Sequence, residues 1–320
     1  MARLIAGQLA LGILTVLGAA LAIFIATEML PGDIAQTILG PYATPEGVAA
    51  IRLKLGLDVP AYIRFLRWLG DFLRGDMGQS LAASQFGSVT TINGQVALRL
   101  SNTLILAGSA LAIALPPALI LAMFAATRPN HAINRVVNLV SLSAISLPEF
   151  FIAYVLIALI AVRLRWLPAM AAISPDMSAL EILNKIALPV FTLVAVSFAY
   201  LLRLSRACLS DVLSRPFIEM AALKGLPTWR IVAGHAFPNA LGPIASVVAL
   251  TLAYLVVGAV VVEVVFVYPG MGQYLVDAVS RRDVPVVQAC SLIFASIYVG
   301  LNLIADLVGI LANPRLRYPR

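Results

Sequence analysis

Ile244-Ala-Ser-Val-Val-Ala-Leu-Thr-Leu-Ala-Tyr-Leu-Val-Val-Gly-Ala-Val-Val-Val-Glu-Val-Val-Phe-Val267 carries a single charged residue, Glu263. A helix rises about 1.5 Å per residue, so this run is long enough to cross a bilayer core about 30 Å thick. The rest of the chain agrees with it. Of the 320 residues, 61% are hydrophobic and 12% charged, and the mean hydropathy is +0.98. Ordinary globular chains are roughly 45–50% apolar and about 25% charged. A water-soluble fold has no place to hide so much apolar surface, so lipid must surround most of this chain. The net charge of +7 is scattered over loops, which fits membrane orientation rather than nucleic-acid binding. Two cysteines, Cys208 and Cys290, exclude a disulfide scaffold or a multi-cysteine metal site.

Five further apolar runs flank that one: Ile5–Ala26, Thr103–Ala126, Val136–Val162, Leu188–Leu204 and Val286–Leu311. The first is too long for a signal-peptide core, lacks a small-x-small cleavage site, and reads as a retained span. Pro148 falls near the middle of the third and is expected to kink it. The expectation is therefore an all-α membrane protein of six transmembrane helices, with both termini on one side. Residues 1–29 would form the first span and 30–102 an external segment. Residues 103–320 would form a core of five spans with a loop at 203–242.

Lys and Arg orient it. With a cytoplasmic N-terminus the inside segments hold eleven: Arg3, Arg128, Arg135, Arg203, Arg206, Arg215, Lys224, Arg230, Arg315, Arg317 and Arg320. The outside segments also hold eleven, but six lie in the long 30–102 stretch, and long loops translocate largely regardless of charge. Over short loops the balance is eleven to five, which makes both ends cytoplasmic. Within the external segment Tyr62, Phe65, Leu66, Leu69 and Phe72 recur at helical spacing. Such a helix either packs on the outer ends of the spans, or it seals the outer mouth or receives a partner.

Catalytic signatures are missing. No GxxxxGK[ST], HExxH, CxxC or GxGxxG occurs. His131 and His235 both fall in predicted loops, so a serine–histidine pair inside the membrane is excluded. Four acids lie within or beside spans: Glu28, Glu149, Glu263 and Asp306. Each is either a capping or interfacial group or, through Glu149, Glu263 or Asp306, a proton site of a self-sufficient secondary transporter. The chain shows no inverted repeat of the kind many such carriers have.

The loop Phe217-Ile-Glu-Met-Ala-Ala-Leu-Lys-Gly225, continuing through Ile231 to His235-Ala-Phe-Pro238-Asn239 and Pro243, resembles the EAA loop of ABC-importer permease subunits. Glu219, Met220 and Ala221 stand at the triplet; three residues on comes Gly225. Taken alone the segment reads as a surface helix joining two spans. Three other stretches resemble the oligopeptide, dipeptide and nickel branch of that family. They are Leu55-Gly-Leu-Asp-x-Pro60 with Gly75-Asp-Met-Gly-Gln-Ser80, Ser146-x-Pro148-x-Phe150, and Glu263-Val-Val-Phe-Val-Tyr-Pro-Gly-Met-Gly272. Met220 replaces the first alanine of the triplet, and Asn313 replaces the aspartate of the family's Asp-Pro-Arg-x-Arg ending.

The resemblance implies a type I importer permease of the bacterial inner membrane. It implies a second homologous permease, two cytosolic ABC ATPases that bind ATP and Mg, and an external solute-binding protein. This chain itself would bind no cofactor, no metal and no nucleic acid, and would not be an enzyme. Phe217, Glu219, Met220, Ala221, Leu223, Lys224, Gly225, Ile231, His235, Pro238 and Asn239 would form the ATPase-coupling surface. Physically, Glu219–Leu223 suits a short helix that Gly225 ends in a left-handed conformation, with Pro227 opposing its continuation. Met220, Ala221 and Leu223 would supply contact area. Pathway or gate candidates are Ser143, Ser146, Pro148, Glu263, Phe266, Pro269, Gly270, Gly272, Asn302 and Asp306. Pro269-Gly-Met-Gly272 would form a turn at the outer mouth.

Overall fold

The computed structural model describes residues 2–29, 44–55, 58–84, 90–127, 147–174 and 176–312. In chain order its α-helices are α1 (Ala2–Glu28), α2 (Pro45–Leu55), α3 (Ala61–Leu73), α4 (Leu81–Ser84), α5 (Ile92–Thr127) and α6 (Glu149–Leu156). They continue with α7 (Ala179–Leu213), α8 (Pro216–Leu223), α9 (Thr228–Ile231), α10 (Phe237–Phe266), α11 (Met271–Ser280) and α12 (Val284–Ala312). α6 runs on as a π-helical stretch, Ile157–Arg163, and a second one, Val232–Ala236, leads into α10. Among the described residues five helical stretches are long and apolar enough to cross a membrane: Ile5–Glu28, Ile92–Thr127, Ala179–Leu213, Thr228–Phe266 and Val284–Ile310. This is an all-α membrane protein. Of the expected third span, residues 136–146 lie outside the described residues, as do Ser143 and Ser146.

Close packing of α5 on α7 organises the bundle. Ala107, Ala110, Ala114, Ala118 and Ala122 are all fully buried on α5, and their spacing of three or four places them on one face. Small side chains let two backbones approach, which is what holds helices together where lipid removes the hydrophobic drive. Pro116 and Pro117 sit inside α5 without ending it; such breakers are tolerated when neighbouring helices satisfy the freed groups. α10 packs on both α7 and α12, and α12 carries α1 on its far side. Leu11, Ile13 and Leu14 of α1 are exposed, as a lipid-facing surface requires.

The spans are longer than hydropathy suggested. α7 extends the expected Leu188–Leu204 at both ends, because its first turn is polar enough to leave the core. A capping box closes that turn: the Ser178 hydroxyl accepts from the Glu181 N–H, and the Ser178 N–H donates to the Glu181 carboxylate. α5 begins at Ile92, about ten residues before the expected start of that helix. Pro148 does not kink a helix. It is extended and precedes α6, as expected of a proline that lacks an N–H and presets its own φ.

α3 is amphipathic and packs on α1. Phe65 and Trp68 surround Phe24 of α1, with ring centroids 5.4 and 6.1 Å away, and Phe72 continues the row. Tyr62 and Leu66, assigned to the packing face from spacing, point outward instead. Glu28 is not a simple helix cap: Arg64 of α3 pairs with it at 2.6 Å. The Thr27 hydroxyl accepts from Gln288 of α12 at 2.8 Å, which pins α1 to the bundle from the other side.

The Gly75–Ser80 stretch is fixed by a residue that composition does not flag. Asp283, buried at the start of α12, accepts from the Ser80 hydroxyl and from the N–H groups of Leu81 and Ala82 at 3.1 and 3.2 Å. A distant carboxylate thus caps α4, and the segment before α5 is latched to the start of α12. Removing it takes the charged acceptor from the Leu81 and Ala82 backbone N–H groups, a loss of about 1–3 kcal/mol. Asp283→Ala should therefore lower the thermal midpoint in detergent by several degrees and speed proteolysis between Arg74 and Thr91. Wild-type values for both would show that the latch contributes nothing.

Candidate functional site: a coupling knuckle, a clamped turn and a mid-membrane cavity

α8 starts from an extended Arg215 with Pro216 at its first position, where a missing N–H costs nothing. Gly225, at φ +76°, stops it. The Gly225 N–H donates to Ala222 O, and the Leu226 N–H to Ala221 O. Pro227 then caps α9. The short helix and its left-handed glycine are as the sequence suggested.

Its two faces do different work. Ile218 and Ala221 are buried against Leu209 and Val212 of α7, Ile231 of α9, and Ala236 and Ala240 leading into α10. Ala221 and Ile231 are therefore anchors rather than contact surface, a correction to the expectation from the motif. Phe217, Met220 and Leu223, spaced three apart, form the opposite stripe. Met220 is 56% and Leu223 75% exposed, and Trp229 beside them is 66% exposed. Glu219, Lys224, His235, Pro238 and Asn239 are also exposed, and the Asn239 amide donates to His235 O at 2.7 Å. A row of large apolar groups on a polar loop is a surface that lacks its partner.

At the other end of the bundle, Glu263 is fully buried. Its Oε1 accepts from the Thr103 hydroxyl at 2.6 Å. Its Oε2 accepts from the Gly272 and Gln273 N–H groups at 2.7 and 3.1 Å. Thr103 in turn accepts from the Met271 N–H at 2.9 Å. The first three N–H groups of α11 are thus all met from α5 and α10, and the carboxylate sits at the positive end of the helix. The Asn102 amide donates to Pro269 O at 2.8 Å, and the Tyr268 hydroxyl to Asn102 O at 2.9 Å. The sequence singled out Glu263 but not Thr103 or Asn102, whose hydroxyl and amide complete the clamp.

Gly270 and Gly272 make the clamp possible. A Cβ on Gly270 would lie 2.1 Å from the Glu263 carboxyl carbon, and one on Gly272 2.5 Å from Val260 Cα. Val267, which ends α10, holds a left-handed φ of 53°, strained for a β-branched residue. Phe266 is buried with Glu263, so neither faces an open pathway in this conformation. Gly270→Ala has no room and should unfold the turn. Glu263→Gln keeps the shape but sets an amide N–H₂ against a donor, at about 1–3 kcal/mol. Both variants should melt earlier than wild type in detergent, Gly270→Ala the more severely. A wild-type melting point for Gly270→Ala would contradict the close approach.

Between these two ends lies a cavity of about 540 Å³. Leu147, Pro148 and Glu149, Ser197 and Tyr200 of α7, Thr251 and Tyr254 of α10, and Tyr298 and Asn302 of α12 line it. Of the pathway candidates, Pro148 and Asn302 meet here. Asp306, one turn beyond Asn302, is exposed and does not line it. Tyr254 donates to Glu149 Oε1 at 2.8 Å. Sequence reading noted Glu149 but not the three tyrosines, whose signal is a phenol at the middle of an apolar run. Among the described residues no cluster of His, Cys, Asp or Glu is arranged to hold a metal.

Comparison with known proteins agrees with this geometry. The family described as "Binding-protein-dependent transport system inner membrane component" matches residues 118–318. A probable peptide ABC transporter permease protein of Sinorhizobium fredii is 34% identical over 296 residues, covering 92% of this chain and 93% of the relative. The glutathione transport system permease protein GsiC of Escherichia coli is 33% identical over 296 residues, 92% of each. The knuckle, the bundle and the matches all lead to one assignment: this chain belongs to the binding-protein-dependent transport system inner membrane components, the multi-pass inner-membrane permease subunits of ABC importers.

Proposed function

We propose that this chain forms half of the translocation pathway of an importer for peptides or related small solutes, glutathione among them, and that separate ATPases drive it through α8. The observation that carries this reading is the stripe of Phe217, Met220 and Leu223 beside Trp229, exposed on a helix whose other face is buried. An amphipathic helix of this kind fills a groove in another protein. The positive charge of the neighbouring loops supports a cytoplasmic position for α8 and a six-span arrangement, with ATP and Mg bound by the partners. A second, homologous permease would close the open side of the bundle, and a solute-binding protein would deliver cargo to the end that holds α3 and α11.

Nucleotide shifts a conformational equilibrium only through its different affinity for the two states. Here ATP-driven closure of the ATPases would move α8. Its buried Ile218 and Ala221 would carry that displacement into α7 and α10. Of the acids that could carry a proton, Glu263 is committed to the α11 clamp, where it accepts three hydrogen bonds.

Two measurements test the reading. Gly225→Val forces a β-branched residue into a left-handed conformation. It should spare insertion and assembly yet abolish ATP hydrolysis stimulated by the loaded binding protein; full stimulation would remove α8 from the coupling path. Uptake should stop on ATP depletion and survive collapse of the proton gradient, whereas the opposite pattern would establish a proton-coupled carrier.

A further inference from the structure

Glu149 sits in the mid-membrane cavity, and among the described residues no opposite charge pairs with it. The cavity draws on the middle of each long helix around it: Ser197 of α7, Thr251 and Tyr254 of α10, and Tyr298 of α12. It therefore lies near the bilayer midplane, where an ionisable group is costly and is retained for a partner or a passing ligand. Among the described residues no Lys, Arg or His pairs with Glu149; its one hydrogen bond comes from Tyr254, to Oε1. Oε2 is left for something else.

The surroundings are shaped around the carboxylate. A Cβ on Gly258 would lie 3.2 Å from Glu149 Oε1 and 3.4 Å from Oε2, so glycine at that position gives the side chain its place. Ser197 and Thr251 spend their hydroxyl protons on backbone carbonyls of their own helices. The polar ends of Tyr200, Tyr298 and Asn302 make no hydrogen bond within the described residues. Three tyrosines and one carboxylate around a cavity of about 540 Å³ suit a cationic nitrogen: the anion supplies charge, and aromatic rings attract cations. The volume falls within the usual range for small-ligand sites.

We propose that Glu149, with Tyr200, Tyr254 and Tyr298, binds the N-terminal ammonium group of the peptide as it passes through the membrane. The site rests on the peptide-importer reading above and adds to it the chemical feature of the cargo that the permease itself reads. A solute ammonium supplies the counter-charge that the described residues do not, and its departure leaves the carboxylate to the next molecule.

The test uses the complete importer, with its partner permease, ATPases and binding protein, in proteoliposomes. Uptake of trialanine is compared with uptake of N-acetyl-trialanine, which lacks the ammonium. The wild type should favour the free amine, and Glu149→Gln should reduce that preference by about tenfold, as expected for loss of one charge-assisted hydrogen bond. Glu149→Asp keeps the charge and should retain much of the preference. Both variants must assemble at wild-type yield. A preference unchanged in Glu149→Gln, or lost equally in Glu149→Asp, would overturn the site while leaving the importer intact. No ATP-dependent uptake of either peptide would instead overturn the peptide reading, and the site with it.

Discussion

Inside a bilayer every backbone N–H and C=O must find its partner within the protein, and this constraint shapes each irregular feature of the chain. Where a helix stops at or near membrane depth, a side chain from elsewhere takes over its bonds. Glu263 and Thr103 receive the first N–H groups of α11. Asp283 receives those of α4. The backbone itself closes the gap where α10 ends, with Ala171 N–H donating to Phe266 O at 2.7 Å. These bonds join segments far apart in sequence, so the end of the bundle that carries α3 and α11 behaves as one fastened cap.

The opposite end is built differently. α8 has no side-chain cap at its first turn and seats its inner face through the apolar side chains of Ile218 and Ala221. Apolar contacts tolerate small sliding in a way that a charge buried among donors does not. A displacement of α8 can therefore be taken up by α5, α7 and α10, whose inner ends share one cluster with it, while the far cap holds together. Between the two ends lies the cavity around Glu149, bounded by α7, α10 and α12, which are helices that such a displacement would move.

Much of this was legible in the sequence, and the rest was hidden for definite reasons. The apolar runs announced the helices, and Gly225 announced the end of α8, because both depend on local chemistry. The ends of α5 and α7 were drawn too short, since hydropathy detects the lipid-buried portion of a helix and not the capped polar turns beyond it. Pro148 was expected inside a helix and stands extended just before one, because such a break cannot be inferred from an apolar run. Tyr62 and Leu66 were placed on the wrong face of α3, where helical spacing alone leaves the packed side undecided by one residue. Asp283 and Ser80, some two hundred positions apart, gave no local signal at all. Neither did the burial of Ala221 and Ile231: a motif names the residues of the knuckle without saying which of them face the bundle.

The account stands on the claim that the exposed stripe of α8 sits in a groove of a cytosolic ATPase. A photo-crosslinking amino acid placed at Leu223, in the assembled importer, tests it most directly. Illumination should join this chain to the ATPase, with a yield that changes when ATP is added, while the same probe at lipid-facing Leu14 should not. If the ATPase copurifies but Leu223 yields no adduct with it in any nucleotide state, the knuckle is not where force enters the permease.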